Sequence, residues 1–428
     1  MRTIKNRLKR SVGLLLVTAL TTSSAFAEYD VIERYTFLED KFKTHDSLNA
    51  VGHDFYLELG GLFNKNLFDV IDEGEEIDKT AGGSAAKITA AQAFLRKYDK
   101  TEQNVRAKVG FGFPLPSFTI QGVKLKPNFR VGATFGVLMG IRTKNADVNA
   151  ALEYVSSGLD PAIRDLLKVC NFSVPGIANG GDIIQYGVDN CGVPAVTAAP
   201  FLNKFFFPDD TTVPVIYNYV KGEGKAGFYI DYTYEDNWYG SFNLYGMGRA
   251  DAKVIVTDTA LAGQGEIAEF GDELNTTVTL STDLKFGYKN KDLKAFLALE
   301  EVKLATMSDN KEKAGETLYG NDMLIRLQGE YIYNLGNFRL NVFGGLHHRG
   351  GYSFGKGYYL GTDLLAHVWE ERLKWRVRGM IDNEHITFSP MMDLWFLNLE
   401  YALKLPIQSE VDGVKPSTLH VVNLRLEF

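Results

Sequence analysis

Apolar and polar residues alternate at period two over many stretches of this chain, each about ten residues long. In residues 105–113, for example, Arg106 and Lys108 lie between Val, Ala and Phe positions. Such alternation is typical of a β-strand whose two faces meet different surroundings. Thirteen segments of this kind lie near residues 55–63, 105–113, 129–137, 226–234, 238–247, 278–288, 293–303, 323–333, 338–347, 358–368, 373–381, 394–405 and 419–428.

The polar faces of these segments decide between two all-β architectures. In residues 373–381, Lys374, Arg376 and Arg378 follow one another on the same face. Three adjacent cations would be costly in the dry core of a soluble sandwich, whereas a wet lumen accepts them if the apolar face meets lipid. Segments of about ten residues suit tilted strands that cross a bilayer, and only a closed sheet satisfies its backbone there. The sequence therefore predicts an antiparallel transmembrane β-barrel.

The strand number follows less directly from the pattern. Single-chain bacterial barrels have an even number of strands, and thirteen segments are therefore one too few or too many. We expect about 14 strands, with 12 to 16 allowed. Two stretches are ambiguous: the strand breaks in 382–405, and 358–372, whose apolar spacing also suits a helix.

The N-terminus predicts export. A basic region with Arg2 and Lys5, a short apolar run over 12–20 and Ala25-Phe26-Ala27 form a signal-peptide pattern with its cleavage site, so residues 1–27 are set apart from the fold. An uncleaved anchor is the alternative, although the apolar run is too short to span about 30 Å. The implied location is the Gram-negative outer membrane.

Residues 28–52 form an N-terminal arm ahead of the predicted barrel, which occupies 53–428. Val31, Tyr35 and Leu38 recur at helical spacing, and charged residues fill the other faces. Two interpretations remain open: an ordinary amphipathic helix lying on a core, or a short helix that acts as a plug ahead of the first strand.

Connections between the segments alternate in length. Short turns such as 235–237 and 289–291 contrast with four long loops, 64–103, 143–224, 249–275 and 304–322. Short periplasmic turns and long extracellular loops are the outer-membrane arrangement.

The longest loop, 143–224, contains the only two cysteines, Cys170 and Cys191. In an oxidising compartment this pair predicts a disulfide, which would stabilise by roughly 3 kcal/mol through loop closure. Asp160-Pro161 predicts the start of a short helix over 162–169. The sequence does not decide whether this loop folds into the pore.

The last strand ends in an alternating apolar face of Val422, Leu424, Leu426 and Phe428. This ending resembles the C-terminal assembly signal of Gram-negative outer-membrane β-barrels, a class that includes porins and the fatty-acid-transporter type. The resemblance covers the mature chain by pattern only and points to no particular family. It implies outer-membrane lipid as surroundings and insertion by the barrel assembly machinery through strand addition.

Composition and motifs exclude several other functions. A net charge of -7 argues against a nucleic-acid partner. Asp363 and His367 share a strand face but lie about 13 Å apart at strand spacing, too far for an acid–base pair. The sequence shows no P-loop, zinc spacing or nucleophile elbow, so we expect neither an enzyme nor a cofactor or metal site.

The sequence thus predicts a pore or transporter for small solutes, of unknown oligomeric state. A modest excess of basic lumenal residues predicts a weak anion preference. We expect reversal of Lys374, Arg376 and Arg378 to leave folding nearly intact, because the lumen is wet. Alternatives are a transporter for hydrophobic ligands, a surface-adhesion barrel and a barrel hydrolase. The predicted pore-lining residues are Arg106, Lys108, Arg130, Lys285, Arg326, Glu330, Arg339, Lys374, Arg376 and Arg378.

Overall fold

A computed structural model describes residues 29–49, 52–81, 83–145, 188–190, 192, 212–257, 261, 274–309, 322–369 and 373–428. Its helices are α1 (Val31–Ser47), α2 (Leu67–Asp78) and α3 (Gly83–Lys97), with a short 3-10 turn at Phe354–Lys356. Its strands are β1 (Tyr56–Asn64), β2 (Glu102–Pro114), β3 (Phe118–Ile120), β4 (Val123–Asn145), β5 (Thr212–Tyr234), β6 (Trp238–Thr257), β7 (Asn275–Lys289), β8 (Leu293–Asp309), β9 (Leu324–Leu335), β10 (Phe338–His348), β11 (Tyr358–Trp369), β12 (Leu373–Asp382), β13 (His385–Leu394), β14 (Leu397–Pro406) and β15 (Leu419–Glu427).

Each strand pairs antiparallel with its neighbour, and β1 pairs with β15, so the sheet closes on itself. The three-residue β3 only extends a hairpin with β4, and β2 pairs directly with β4. Within the described residues the wall therefore has 14 strands, which confirms the predicted number and the antiparallel barrel.

The strand missing from the sequence prediction is β13. A two-residue turn, Trp395-Phe396, separates it from β14, and Trp395 takes a positive φ of 46°. Such turns are usually marked by Asn or Gly, so two aromatic residues gave no signal of a break. The alternative of a helix over 358–372 is wrong, because β11 pairs with both β10 and β12.

The outer surface of the wall is apolar. Side chains such as Phe135, Leu297 and Phe388 point outward and are about half exposed, while neighbouring polar residues point into the lumen. At the short-turn rim, Phe428 stacks on Phe396 with 5.7 Å between ring centroids and lies 5.9 Å from Phe55. An apolar band edged by aromatic rings is the surface that a bilayer requires.

The wall is uneven in height, because β4, β5 and β6 extend beyond the other strands at the long-loop end. The connection between β4 and β5 therefore covers 146–211 rather than the predicted 143–224, and strand β6 continues to Thr257. The loop predicted at 64–103 contains α2 and α3. These two helices pack Phe94 and Leu95 onto outward-facing residues of the tall wall, including Ile141 and Ile216. They cover an apolar surface that rises above the lipid-facing band.

Among the described residues, no helix has the length and apolar character needed to cross a membrane. The predicted signal peptide, the cysteine pair and the short helix over 162–169 lie outside the described residues.

Candidate functional site

Helix α1 lies inside the barrel. Asp30 caps it by accepting hydrogen bonds from the backbone N–H groups of Ile32 (2.8 Å) and Glu33 (3.3 Å). At the long-loop end, Tyr29 donates to Glu102 at the start of β2 (2.9 Å). At the short-turn end, Arg425 of β15 donates to the Asn49 carbonyl (2.9 Å). The helix has 17 residues and a length of about 25 Å, which matches the apolar band of a barrel.

The first half of α1 is anchored by apolar packing. Val31, Tyr35 and Leu38 contact inward-facing residues of β4 and β5, among them Leu138 and Tyr219. The sequence grouped these helical residues on one face, but the surface they meet is the inside of the wall. The other faces of α1 are buried as well. The interpretation of the arm as an amphipathic helix that lies on a core with one face therefore does not fit.

Two glycines of β4 allow this close approach. A Cβ atom placed on Gly136 would run into the hydroxyl of Tyr35, and one placed on Gly140 would run into the hydroxyl of Tyr29. The wall is therefore shaped to receive the helix.

Ion pairs hold the next part of α1 to strands far away in sequence. Arg34 pairs with Glu102 (2.9 Å) and with Glu384, which sits in the β12–β13 turn. Lys41 pairs with Asp382 (2.6 Å) and Glu384 (3.3 Å). Burial alone would raise the pKa of Glu384, but the cations of Arg34 and Lys41 outweigh it and hold the pKa well below its usual range.

A bulge in β8 creates a second anchoring point. Two residues, Glu300 and Glu301, occupy the place opposite Asp283, because Leu284 pairs with Leu299 and Thr282 with Val302. Glu301 takes a positive φ of 59°, and its N–H donates to Asp283 (2.8 Å). A β-bulge changes the direction in which a side chain points, and this one turns the Glu301 side chain into the lumen.

Four cations meet the Glu301 carboxylate. Lys43 of α1 lies 2.5 Å away, Lys225 and Arg249 lie 2.7 Å away, and Arg349 lies 2.9 Å away. Arg349 also binds Asp40 of α1 through two nitrogen atoms, each 2.9 Å from an oxygen. Asp40 is 0% exposed and Arg349 is 1% exposed, so this part of the lumen is filled.

The last turn of α1 makes a further polar contact with the wall. His45 Nε2 lies 2.9 Å from the Glu400 carboxylate of β14, which also accepts hydrogen bonds from Ser389 and Asn423. Both His45 and Glu400 are buried.

Most of the predicted pore-lining residues are engaged in contacts inside the lumen. Arg106 donates to the Tyr35 carbonyl (2.9 Å), and Lys108 pairs with Asp46 (2.8 Å) and Glu58 (2.9 Å). Arg130 lies 3.7 Å from Asp231.

The three predicted cations of β12 differ from one another. Arg378 is fully buried and pairs with Asp363 (2.8 Å), and Arg376 shares the same carboxylate (3.0 Å). Both also donate to the Leu48 carbonyl at the end of α1. Lys374 is half-buried near the short-turn rim, where Arg339 is exposed and Glu330 half-buried. The surroundings of Arg378 are therefore not wet, contrary to the expectation for charge reversal.

Sequence reasoning missed several partners that fix α1, among them Glu102, Glu301, Arg349 and Glu384. It also missed Glu223, which lies 3.5 Å from Lys43. One local signal was present, because the adjacent acids Glu300-Glu301 interrupt the alternation of their segment. The other partners carry no local signal, since the contacts join residues up to 350 positions apart.

Below the filled zone, on the β4–β9 side, the lumen keeps a cavity of about 440 Å³. Its lining includes seven basic and seven acidic side chains. Basic Lys285 and Arg326, both predicted from sequence, line it together with Glu300. Among the residues the structure describes, no group of three or more His, Cys, Asp or Glu side chains is arranged to hold a metal ion.

No protein-family model and no curated protein matches this chain. Solved structures that this chain matches include the transport unit of the autotransporter AIDA-I from Escherichia coli, at 7% identity and a TM-score of 0.34 over 94% of this chain and 99% of that chain. CdiB from Acinetobacter baumannii has 6% identity and a TM-score of 0.32, over 88% of this chain and 60% of that chain. A triple mutant of Rhodopseudomonas blastica porin has 11% identity and a TM-score of 0.27, over 88% and 99%.

Similarity at this level carries no argument about this chain. The architecture rests on this chain's own strand pairing, apolar outer surface and polar lumen. The chain is a closed 14-strand β-barrel of the outer-membrane type, with a helix inside it.

Proposed function

We propose that this protein is an outer-membrane transport barrel for small polar solutes, and that α1 is a plug that must shift before solutes pass. The observation that carries the proposal is the way α1 is held. Its second half meets the wall through ion pairs and hydrogen bonds, as Lys41, Lys43 and His45 show. Charged groups can exchange such partners for water when the helix moves, whereas apolar surfaces cannot.

The lumenal chemistry favours polar solutes over hydrophobic ligands. Half of the 28 residues that line the cavity are charged. A site for apolar ligands is lined mostly by hydrophobic and aromatic side chains. The fatty-acid-type alternative therefore receives no support from the described lumen.

Conductance in planar bilayers tests the plug. We expect long closed periods for the full chain and steady conductance after deletion of residues 29–49 with the export signal kept. A second variant, Lys41→Glu with Lys43→Glu, retains the full chain but places carboxylates against Asp382 and Glu301. We expect it to be more open than wild type, with Lys374→Glu as a matched control that behaves like wild type.

Two outcomes would overturn the proposal. Equal conductance of the full chain and both variants would show that α1 blocks nothing. Folded, heat-modifiable variants that never conduct would show that the lumen is not a transport path.

We further propose a Gram-negative outer-membrane location, export by the 1–27 signal and recognition of the last strand by the assembly machinery. The N–H of Phe428 donates to the Phe55 carbonyl (2.8 Å), and that of Phe55 donates back (3.2 Å), so the last residue also completes the closure between β1 and β15. Deleting Phe428 should leave export intact but reduce the amount of folded barrel in the outer membrane. Normal folded yield would contradict this assignment.

A second candidate, surface adhesion with the barrel as anchor, is favoured by the tall β4–β6 wall and by α2 and α3 on its outer side. Removing residues 146–211 separates the two functions. Transport predicts that conductance survives this deletion, while adhesion predicts that binding of whole cells to a surface is lost.

A further inference from the structure

One part of the cavity wall carries two cations with hydrogen-bond donors for which the described residues supply no acceptor. Ser241, Lys285, Ala298 and Arg326 stand in one row across β6 to β9, each opposite the next in the strand register. All four line the cavity. Because Ser241 and Ala298 are small, space remains on both sides of the Lys285 side chain.

Lys285 forms no ion pair or hydrogen bond through its ammonium group among the described residues. Its Nζ instead lies 4.2 Å from the ring centroid of Phe296 and 5.8 Å from that of Tyr239. Cation–π contacts of this kind leave the ammonium hydrogens on the other side available to an acceptor.

Arg326 is buried, with only 6% of its side chain exposed. One terminal nitrogen, Nη2, donates to Glu300. Its other two nitrogens, Nε and Nη1, are buried without a hydrogen-bond partner in the part of the chain described. Buried guanidinium donors are costly to leave unpaired, so this side chain is prepared for an acceptor that the protein does not supply.

The two cations converge on one place. The Arg326 guanidinium lies 5.8 Å from the centroid of the same Phe296 ring that Lys285 approaches. Neighbouring strands are about 4.8 Å apart. Lys285 and Arg326 stand in the same row with only the small Ala298 between them, so both long side chains can reach a single small anion. Oxyanions take charge-assisted hydrogen bonds from both side-chain types.

We propose that Lys285 and Arg326 form a binding subsite for a small oxyanion, a carboxylate or phosphate group, with Phe296 beneath it. This inference rests on the proposed transport function, because it names the class of solute that the lumen would pass. Glu300 is the carboxylate that contacts Arg326, and it holds the guanidinium in position while leaving its other donors to the solute.

Calorimetric titration of the folded full chain in detergent tests the subsite, with sodium acetate, sodium benzoate and inorganic phosphate as probes at constant ionic strength. We expect saturable binding of at least one probe, weakened at least tenfold by Lys285→Met and by Arg326→Gln. Lys374→Met, an inward-facing cation outside this row, should leave the affinity unchanged. Comparison of acetate and benzoate with phosphate shows which oxyanion fits.

Absence of saturable binding would overturn the subsite, as would equal weakening by Lys374→Met, which would indicate general electrostatic attraction. The Gln variant retains hydrogen-bond donors, and heat modifiability checks that each variant is folded. Binding without conductance in the α1-deleted barrel would contradict transport and leave the subsite standing. Conductance without binding would contradict the subsite alone.

Discussion

The two ends of the lumen are built on the same strands but are filled differently. Toward the long loops, α1 supplies counter-ions to several charges of the wall, and Asp40 and Arg349 are almost completely excluded from solvent. Toward the short turns, on the β4–β9 side, the lumen is hollow, and Lys285 and Arg326 retain donors without protein acceptors.

This difference shows that an inward-facing charge has no fixed role in a barrel. Where α1 supplies the counter-ion, the charge holds the helix. Where no helix covers it, the same kind of residue keeps donors that no described protein group accepts. Removing a cation that pairs with α1 should therefore cost stability, and removing Lys285, which has no ion pair among the described residues, should not.

The largest expected effect is at Arg349. Replacing it by Met leaves Asp40 buried without its cation and removes one of the four cations around Glu301. Breaking a buried ion pair by removing one partner costs about 3–5 kcal/mol. We expect a loss of this size in the free energy of unfolding, measured by urea titration of the protein refolded into lipid vesicles.

The control for Arg349→Met is Lys285→Met in the hollow end, where no ion pair is lost. It should change the free energy of unfolding by less than about 1 kcal/mol. Equal losses for both variants would show that the two ends do not differ in the way proposed.

The next effect tests which face of β12 meets lipid. Val377→Arg places a cation on the outer surface, where it should cost about 2–4 kcal/mol near the bilayer midplane. Lys374→Glu, on the inner face near the rim, should be nearly silent in the same vesicle unfolding assay. A silent Val377→Arg combined with a damaging Lys374→Glu would mean that the faces are inverted.

The barrel itself was predictable because its signal is local. Alternation over 105–113 or 373–381 reports the two faces of a strand whatever the rest of the chain does. The miscounted strand shows the limit, since the turn at Trp395-Phe396 lacks the residues that normally mark a tight reversal. The extra height of β4 and β5 was missed because these strands leave the bilayer, and α2 and α3 then bury their outer face.

The site was less predictable because its contacts are not local. Sequence periodicity placed Arg106, Arg326 and Arg378 on an inner face, but it could not say which carboxylates would meet them. Arg34 and Glu384 are 350 positions apart, and only closure of the barrel brings them together. The two interpretations of the N-terminal arm could not be separated for the same reason. The apolar face of a helix gives the same sequence pattern whether the helix lies on a core or against the wall of a lumen.

A smaller effect is expected at the glycines that receive α1. Gly136→Ala would force its new methyl group against Tyr35, and the misfit should cost about 1–3 kcal/mol or displace the helix. Gly132→Ala is the matched control on the same inner face of β4, because its Cβ would meet only the Val109 carbonyl at 3.5 Å. The readouts are vesicle unfolding and closed time in planar bilayers, and equal behaviour of the two variants would contradict close packing of α1 on β4.

The smallest effect depends on pH and concerns the anchor of α1 at Glu384. The cations of Arg34 and Lys41 hold the pKa of this carboxyl below the ordinary value of 4.5 despite its burial. A depressed pKa stabilises the folded state above the unfolded-state value, and this contribution is lost as pH falls from about 4.5 toward the folded-state pKa. The barrel should therefore stay closed independently of pH between 6 and 8 but open more often as pH falls below about 4.5.

In Glu384→Gln the Arg34 contact is already weakened, so closed times at pH 7 should be shorter than in wild type and should change less on acidification. An identical pH response of wild type and Glu384→Gln, recorded in planar bilayers on both sides of pH 4.5, would show that this carboxylate does not hold the plug.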